Sequence, residues 1–90
     1  MLRFKKHFVE ILLLLEKSPM SFNELLKTLN AYPDTLNRRL KELQSFNLIV
    51  QFNENDKIKY KLTDKGLKLI PLLKNLIRII KEIESLLLDE

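Results

Sequence analysis

Apolar residues recur along the chain with two different periods. Over residues 2–17 the spacing is helical, with Phe4, Phe8, Ile11, Leu12 and Leu15 on one face. Leu13 and Leu14 widen that face until little polar surface remains around residues 11–15, so this helix belongs at the centre of a core or between a core and a second subunit. Ser18-Pro19 ends it. Ser21 and Glu24 stand at capping-box spacing and Met20 and Leu25 at the positions of a hydrophobic staple, which starts a second helix over residues 22–29 burying Leu25, Leu26 and Leu29. Asn30, and later Asn47, fall where a left-handed residue must stop a helix; after Gly, Asn tolerates that conformation best. Pro33 opens a third helix, residues 33–46, at a position where its missing N–H costs nothing, with Tyr32 as a poor N-cap. Leu36, Leu40 and Leu43 form its inward stripe. Stepping about 100° per residue, Asp34, Arg38, Lys41 and Ser45 lie opposite, Thr35 and Asn37 on the flanks, and Arg39 nearer the core edge.

The period then changes to two. Residues 48–53 are β-branched and apolar, and residues 57–62 alternate Ile58, Tyr60 and Leu62 against Lys57, Lys59 and Lys61. Residues 53–56, Asn-Glu-Asn-Asp, are turn chemistry, so the two runs make a two-stranded hairpin. Thr63 caps a last helix over residues 64–88, interrupted or kinked at Pro71. Along it Leu69, Leu73, Leu76, Ile80, Ile83 and Leu87 recur at spacings of four and three as a coiled-coil seam, with Leu72, Ile79 and Leu86 as a second stripe. That exceeds what one small domain can cover, so the seam is expected to pair two copies, joined by Phe4 and Phe8 of the first helix. The order of elements is the outline of a winged helix-turn-helix, mainly α with a small β-hairpin wing and long N- and C-terminal dimerisation helices. Residues 1–90 read as one domain: 1–17 the N-terminal helix, 21–66 the helix-turn-helix and wing, 64–88 the C-terminal dimerisation helix.

Ninety residues suit a single domain that gains from burial against a partner. Without cysteine there is no disulfide, thiolate metal site or cysteine nucleophile. His7 is the only histidine and is expected on the exposed side of the first helix; it lacks partners for a metal site or a triad, and Gly66 alone makes no phosphate loop. Neither catalysis nor a cofactor is expected. No apolar run approaches the ~18 residues of a membrane span, and a cytoplasmic protein is expected. Sixteen basic against twelve acidic residues, net +4, permit nucleic acid as a partner without demanding it.

The stretches SFNELLKTL, TLNRRLKELQSFNLI and KYKLTDKGLKLIPLL resemble, in sequence and order, the winged-helix transcription regulators of the HxlR type, and more loosely MarR-like and PadR-like regulators. The resemblance covers residues 21–73. Its most specific part is the step Leu62-Thr63-Asp64-Lys65-Gly66, preceded by Tyr60. The chain departs from the HxlR pattern in having neither Cys nor Trp, so thiol-based sensing cannot operate, and in carrying Asn30 and Asn47 where Gly is usual. The resemblance implies that the third helix enters the major groove of double-stranded DNA and the wing touches the backbone. Carried onto this sequence, the groove candidates are Pro33, Asp34, Thr35, Asn37, Arg38 and Lys41. A guanidinium at Arg38 can grip guanine bidentately and an amide at Asn37 adenine. Lys57, Lys59 and Lys61 would meet phosphates, while Glu54 and Asp56 at the tip disfavour deep insertion into the minor groove.

Blander readings stand beside these. A basic helix face is commonly just solvated, lysines protect an edge strand from aggregation, and the C-terminal stripes could cover a monomer's core. Arg39 is expected to lie along the surface or pair with an acid. Phe46, Phe52 and Tyr60 are expected in the core, with an effector cavity among them as the alternative. The competing function is a winged-helix module for protein contact without specific DNA binding, which Asp34 and Glu42 on the third helix keep open.

Overall fold

The computed structural model describes residues 5–88, so Phe4 lies outside the described residues. Its elements are α1 (Phe8–Lys17), β1 (Met20–Ser21), α2 (Phe22–Leu29), α3 (Pro33–Ser45), β2 (Ile49–Glu54), β3 (Lys57–Leu62) and α4 (Asp64–Leu88). Helix α1 starts later than its apolar pattern suggested. His7 is its N-cap, in the left-handed region at φ 68°, and the chain before it is not helical from Lys5 on. His7 is therefore not on an exposed helix face: it is buried, with Nδ1 3.2 Å from a Glu10 carboxylate oxygen. Ile11, Leu12 and Leu15 are buried, while Leu13 and Leu14 are only half-buried.

The helix-turn-helix follows local rules closely. The capping box is complete, Glu24 N–H donating to Ser21 Oγ at 3.2 Å and Ser21 N–H to Glu24 Oε1 at 3.0 Å. Asn30 ends α2 at φ 51°, and Asn47 follows α3 at φ 61°, both left-handed as the missing glycines required. Leu25, Leu36, Leu40 and Leu43 are fully buried and join Ile11, Leu12 and Leu15 in one core with Leu48, Ile49, Tyr60, Leu62, Ile70 and Leu73.

The sheet has three strands, not two, in the order β1-β3-β2, all antiparallel. Met20 and Ser21 pair with Tyr60 and Lys59, so β3 is central rather than an edge. The β2–β3 turn is two residues, Asn55 and Asp56, both at positive φ (51° and 62°), the conformation whose twist matches a tight hairpin. Tyr60 and Leu62 face the core, but Ile58, expected to point with them, lies where the hairpin has outrun the body and is 58% exposed. Phe46 is also not core: it is 53% exposed at the C-cap of α3, its ring edge-on to Phe8 at 6.4 Å. Phe52 is half-buried under Lys61.

Helix α4 runs through Pro71 as one continuous helix of 25 residues. Its start is sewn to the end of α3. Thr63 Oγ1 accepts from Gly66 N–H at 3.0 Å and donates to the Asn47 carbonyl at 2.6 Å, while Thr63 N–H donates to the Leu48 carbonyl at 3.0 Å. Gly66 packs directly on that Leu48 carbonyl, leaving no room for a Cβ, which explains the one glycine of the chain. The α4 residues then separate. Ile70 and Leu73 belong to the core, so Leu73 leaves the expected seam; Leu69 and Leu76 are half-buried; Leu72, Ile79, Ile80, Ile83, Leu86 and Leu87 are exposed.

Candidate nucleic-acid interface

The buried stripe of α3 decides what its other side presents. With Leu36, Leu40 and Leu43 locked into the core, Asp34, Asn37, Arg38 and Lys41 are exposed, Pro33 opens the helix and Thr35 is half-buried in the first turn. Among the described residues, none of Asp34, Thr35, Asn37, Arg38 and Lys41 makes a side-chain hydrogen bond or ion pair. The first intrahelical bond runs from Leu36 N–H to the Tyr32 carbonyl at 3.0 Å, so the amides before it point out of the helix start without a helical acceptor.

Glu42, which seemed to dilute the positive face, is neutralised locally. Arg39 and Lys5 both donate to its Oε1, Lys5 at 3.2 Å. Arg39 is thus held against the body, as its place at the core edge suggested. The charges left open on α3 are Arg38 and Lys41, with Asp34 one turn earlier.

On the wing, register puts Lys57, Lys59 and Lys61 on one face together with their cross-strand partners Glu54, Phe52 and Val50. The three lysines are not equivalent. Lys59 Nζ is 3.5 Å from Glu54 Oε1, and Lys61 Nζ sits 4.9 Å from the centre of the Phe52 ring. Lys57 is exposed, and among the described residues its side chain makes no hydrogen bond or ion pair. The pairing with β1 also brings Lys59 and Lys57 beside the start of α2. The Glu24 carboxyl is held below its ordinary value by its hydrogen bonds with Ser21, assisted by these two ammonium groups.

Tyr32 is a poor cap by residue type. Here it makes no side-chain cap bond and is 78% exposed at the open end of α3, beside Pro33 and Asp34. The available signal was a residue that cannot cap occupying the capping position. The effector cavity given as the alternative for Phe46, Phe52 and Tyr60 is not formed among the three. A shallow groove of about 410 Å³ is lined by Phe8, Phe46, Leu48, Leu69 and Leu72 with Lys65 and Lys68 at its rim, and neither Phe52 nor Tyr60 contributes. Among the described residues no group of His, Cys, Asp and Glu side chains could hold a metal ion, and no helix is long and apolar enough to cross a membrane.

A helical pair with an open second helix, followed by a short sheet and a long closing helix, defines the winged-helix class. The sequence matches the winged helix-turn-helix family over residues 6–81, and the chain belongs to that family. Among solved structures it is similar to the reduced form of the transcriptional regulator YodB from B. subtilis. The identity is 26% over 82% of this chain and 76% of that one, with a TM-score of 0.76. A PadR family transcription regulator from hypervirulent Clostridium difficile shares the fold at 24% identity and TM-score 0.86, over 93% of this chain and 99% of that one. A mutant of MepR from S. aureus shares it at 18% identity and TM-score 0.82, over 97% and 68%. No curated protein matches the sequence.

Proposed function

We propose that the chain is a homodimeric transcription regulator of the HxlR-like kind that binds double-stranded DNA sequence-specifically, in the cytoplasm, without catalysis. The observation that carries this is the outward face of α3: Asn37, Arg38 and Lys41 stand exposed and without protein partners opposite a fully buried leucine stripe. Such a face costs the fold nothing to maintain and is free to exchange water for base edges and phosphates. Arg38 and Asn37 would read bases, Thr35, Tyr32 and the helix start would meet the backbone, and Lys57 with Lys61 would follow the phosphates from the wing. Two copies would read half-sites separated by about 10 bp or a small multiple of it. The half-exposed or exposed residues Leu69, Leu76, Ile80, Ile83 and Leu87, with Phe8, are the proposed dimer contacts.

The test is selection of a random duplex library on the purified protein at about 150 mM salt, near physiological ionic strength, followed by binding of the recovered site to variants. Arg38→Ala should lose about 1–3 kcal/mol and relax one base position. Lys57→Ala should weaken all sequences alike and reduce the salt dependence. A pool without an enriched motif would overturn the reading and leave a module for protein contact.

A further inference from the structure

The outward ridge of α3 carries one residue that a surface built only to attract phosphates would not. At about 100° per residue, Asp34 and Arg38 lie within about 40° of each other on the side opposite Leu36, about 6 Å apart along the helix axis. An acid and a base at this i, i+4 spacing are the usual partners of an ion pair on a helix surface. Here both are exposed, and among the described residues neither side chain makes a hydrogen bond or ion pair. The helix's other acid behaves differently, since Glu42 is taken up by Arg39 and Lys5. Asp34 therefore presents a carboxylate without a protein partner in the first turn of α3, the end of a recognition helix whose residues meet base edges.

The chemistry of the major groove narrows what such a group can meet. A carboxylate only accepts hydrogen bonds. Guanine offers two acceptors there, thymine an acceptor and a methyl group, and adenine a donor beside an acceptor. Cytosine alone offers a donor, its N4 amino group, with no acceptor next to it. The carboxylate is thus repelled by guanine and thymine, compromised at adenine and satisfied at cytosine. Phosphates repel it too, so it weakens non-specific binding as well as binding to wrong bases. A favourable interaction with the positive end of the helix would follow from any position in the first turn. It does not require the ridge that Arg38 and Lys41 occupy.

Building on the reading of α3 as a recognition helix, we propose that Asp34 is a specificity-determining residue that accepts a hydrogen bond from the N4 amino group of a cytosine. It works beside Arg38 on a guanine. A separation of about 6 Å, against about 3.4 Å per base pair, places that cytosine within about two base pairs of the guanine. Arg38 contributes attraction and base reading together. Asp34 contributes discrimination, its hydrogen bond to cytosine set against its repulsion from the other bases and the backbone.

The test compares selections from a random duplex library by the parent, Arg38→Ala, Asp34→Ala and Asp34→Asn at about 150 mM salt. Affinities are then measured for the recovered duplex, its single-base variants and a scrambled duplex. Both positions are exposed, and circular dichroism checks that each variant folds. In the parent, replacing the cytosine should weaken binding about 5- to 150-fold. Asp34→Ala should lose that discrimination at one base pair, within about two of the one relaxed by Arg38→Ala. It should also bind the scrambled duplex several-fold more tightly, with a gain that shrinks as salt rises. Asp34→Asn should move the preference from cytosine to adenine, whose N6 and N7 an amide meets bidentately. A motif that Asp34→Ala leaves intact at every position would overturn the proposal while recognition by α3 stands. So would a lost preference for guanine or thymine. An equal loss on all duplexes, the scrambled one included, would assign Asp34 to the helix start alone and overturn it as well. A parent that enriches no motif would remove both readings.

Discussion

Replacing Gly66 by Ala should destabilise this protein, although the rule for helices says the opposite. In an exposed helix interior Ala is favoured over Gly by about 1 kcal/mol. Gly66 is in the first turn of α4, where its Cβ position falls on the Leu48 carbonyl oxygen well inside van der Waals contact, and 3.2 Å from both the Leu48 carbonyl carbon and Leu62 Cδ2. The obstacle is backbone, and that carbonyl already accepts from Thr63 N–H. A rotamer change cannot relieve the clash; α4 must move away from the start of β2, loosening the Thr63 bonds to Asn47 and Gly66 and the packing of Ile70. Overpacking of this kind costs about 1–3 kcal/mol, and a rigid neighbour places it at or above the top of that range. After the propensity gain is subtracted, a loss of about 2 kcal/mol remains. For a domain of this size each kcal/mol moves Tm by about 4–8 °C, so the variant should melt about 8–16 °C lower. Thermal unfolding followed by circular dichroism at one fixed protein concentration is the assay, because association makes Tm concentration-dependent. Ser85→Ala, on an exposed turn of the same helix, is the control and should gain a few tenths of a kcal/mol. A Gly66→Ala protein melting at or above the parent would refute the close approach on which this reasoning depends.

Other substitutions probe the same architecture. Thr63→Val keeps the shape but removes a cap acceptor for Gly66 and a donor for Asn47, and should cost about 1–3 kcal/mol in chemical denaturation; an unchanged midpoint would mean the junction is held by packing alone. Glu24 has a folded-state pKa below its ordinary 4.5, so its capping contribution should be complete above that pH and disappear as pH falls through the lowered folded value. Glu24→Gln should flatten that part of the stability–pH curve, and an identical acid limb in the two proteins would show the carboxylate is not engaged. Tyr32→Ser, which installs a good N-cap, should raise stability by about 1 kcal/mol while weakening duplex binding. A variant more stable and equally tight would remove Tyr32 from the interface.

The helix-turn-helix was legible because its rules are local. A capping box, two asparagines at helix stops and a proline at the first turn of α3 each specify backbone geometry within four residues, and their predicted bounds agree with the structure to within a residue. The outward residues of α3 followed from its leucine stripe for the same reason. What the sequence hid depends on contacts distant along the chain. A two-residue strand has no period, so Met20 and Ser21 showed only their roles at the start of α2, and their pairing with β3 was invisible. The apolar spacing of α1 continues backwards past its true start, which hides the turn that buries His7. An acid partner for Arg39 was foreseeable from its place at the core edge, but the sequence could not say that Lys59 is engaged by Glu54, and hence that Lys57 is the freer cation of the wing.

The seam on α4 shows where a spacing rule reaches its end. Positions four and three apart share a face of one helix, but two different surfaces can draw on that face in succession. Near its start α4 lies on the core, which takes Ile70 and Leu73. Beyond Leu76 the body has ended, and Ile79, Ile80 and Ile83 stand exposed at 39%, 45% and 51%. Counting by four and three from Leu69 passed from one surface to the other at Leu73 without a mark in the sequence. The observed helix has a core face about two turns long, from Gly66 to Leu73, then a stripe about 90° around. Because the two faces differ, burying the stripe against a second copy needs no rearrangement of the monomer. Substituting Ile80 should therefore alter association while leaving the fold standing, whereas substituting Leu73 should unfold both.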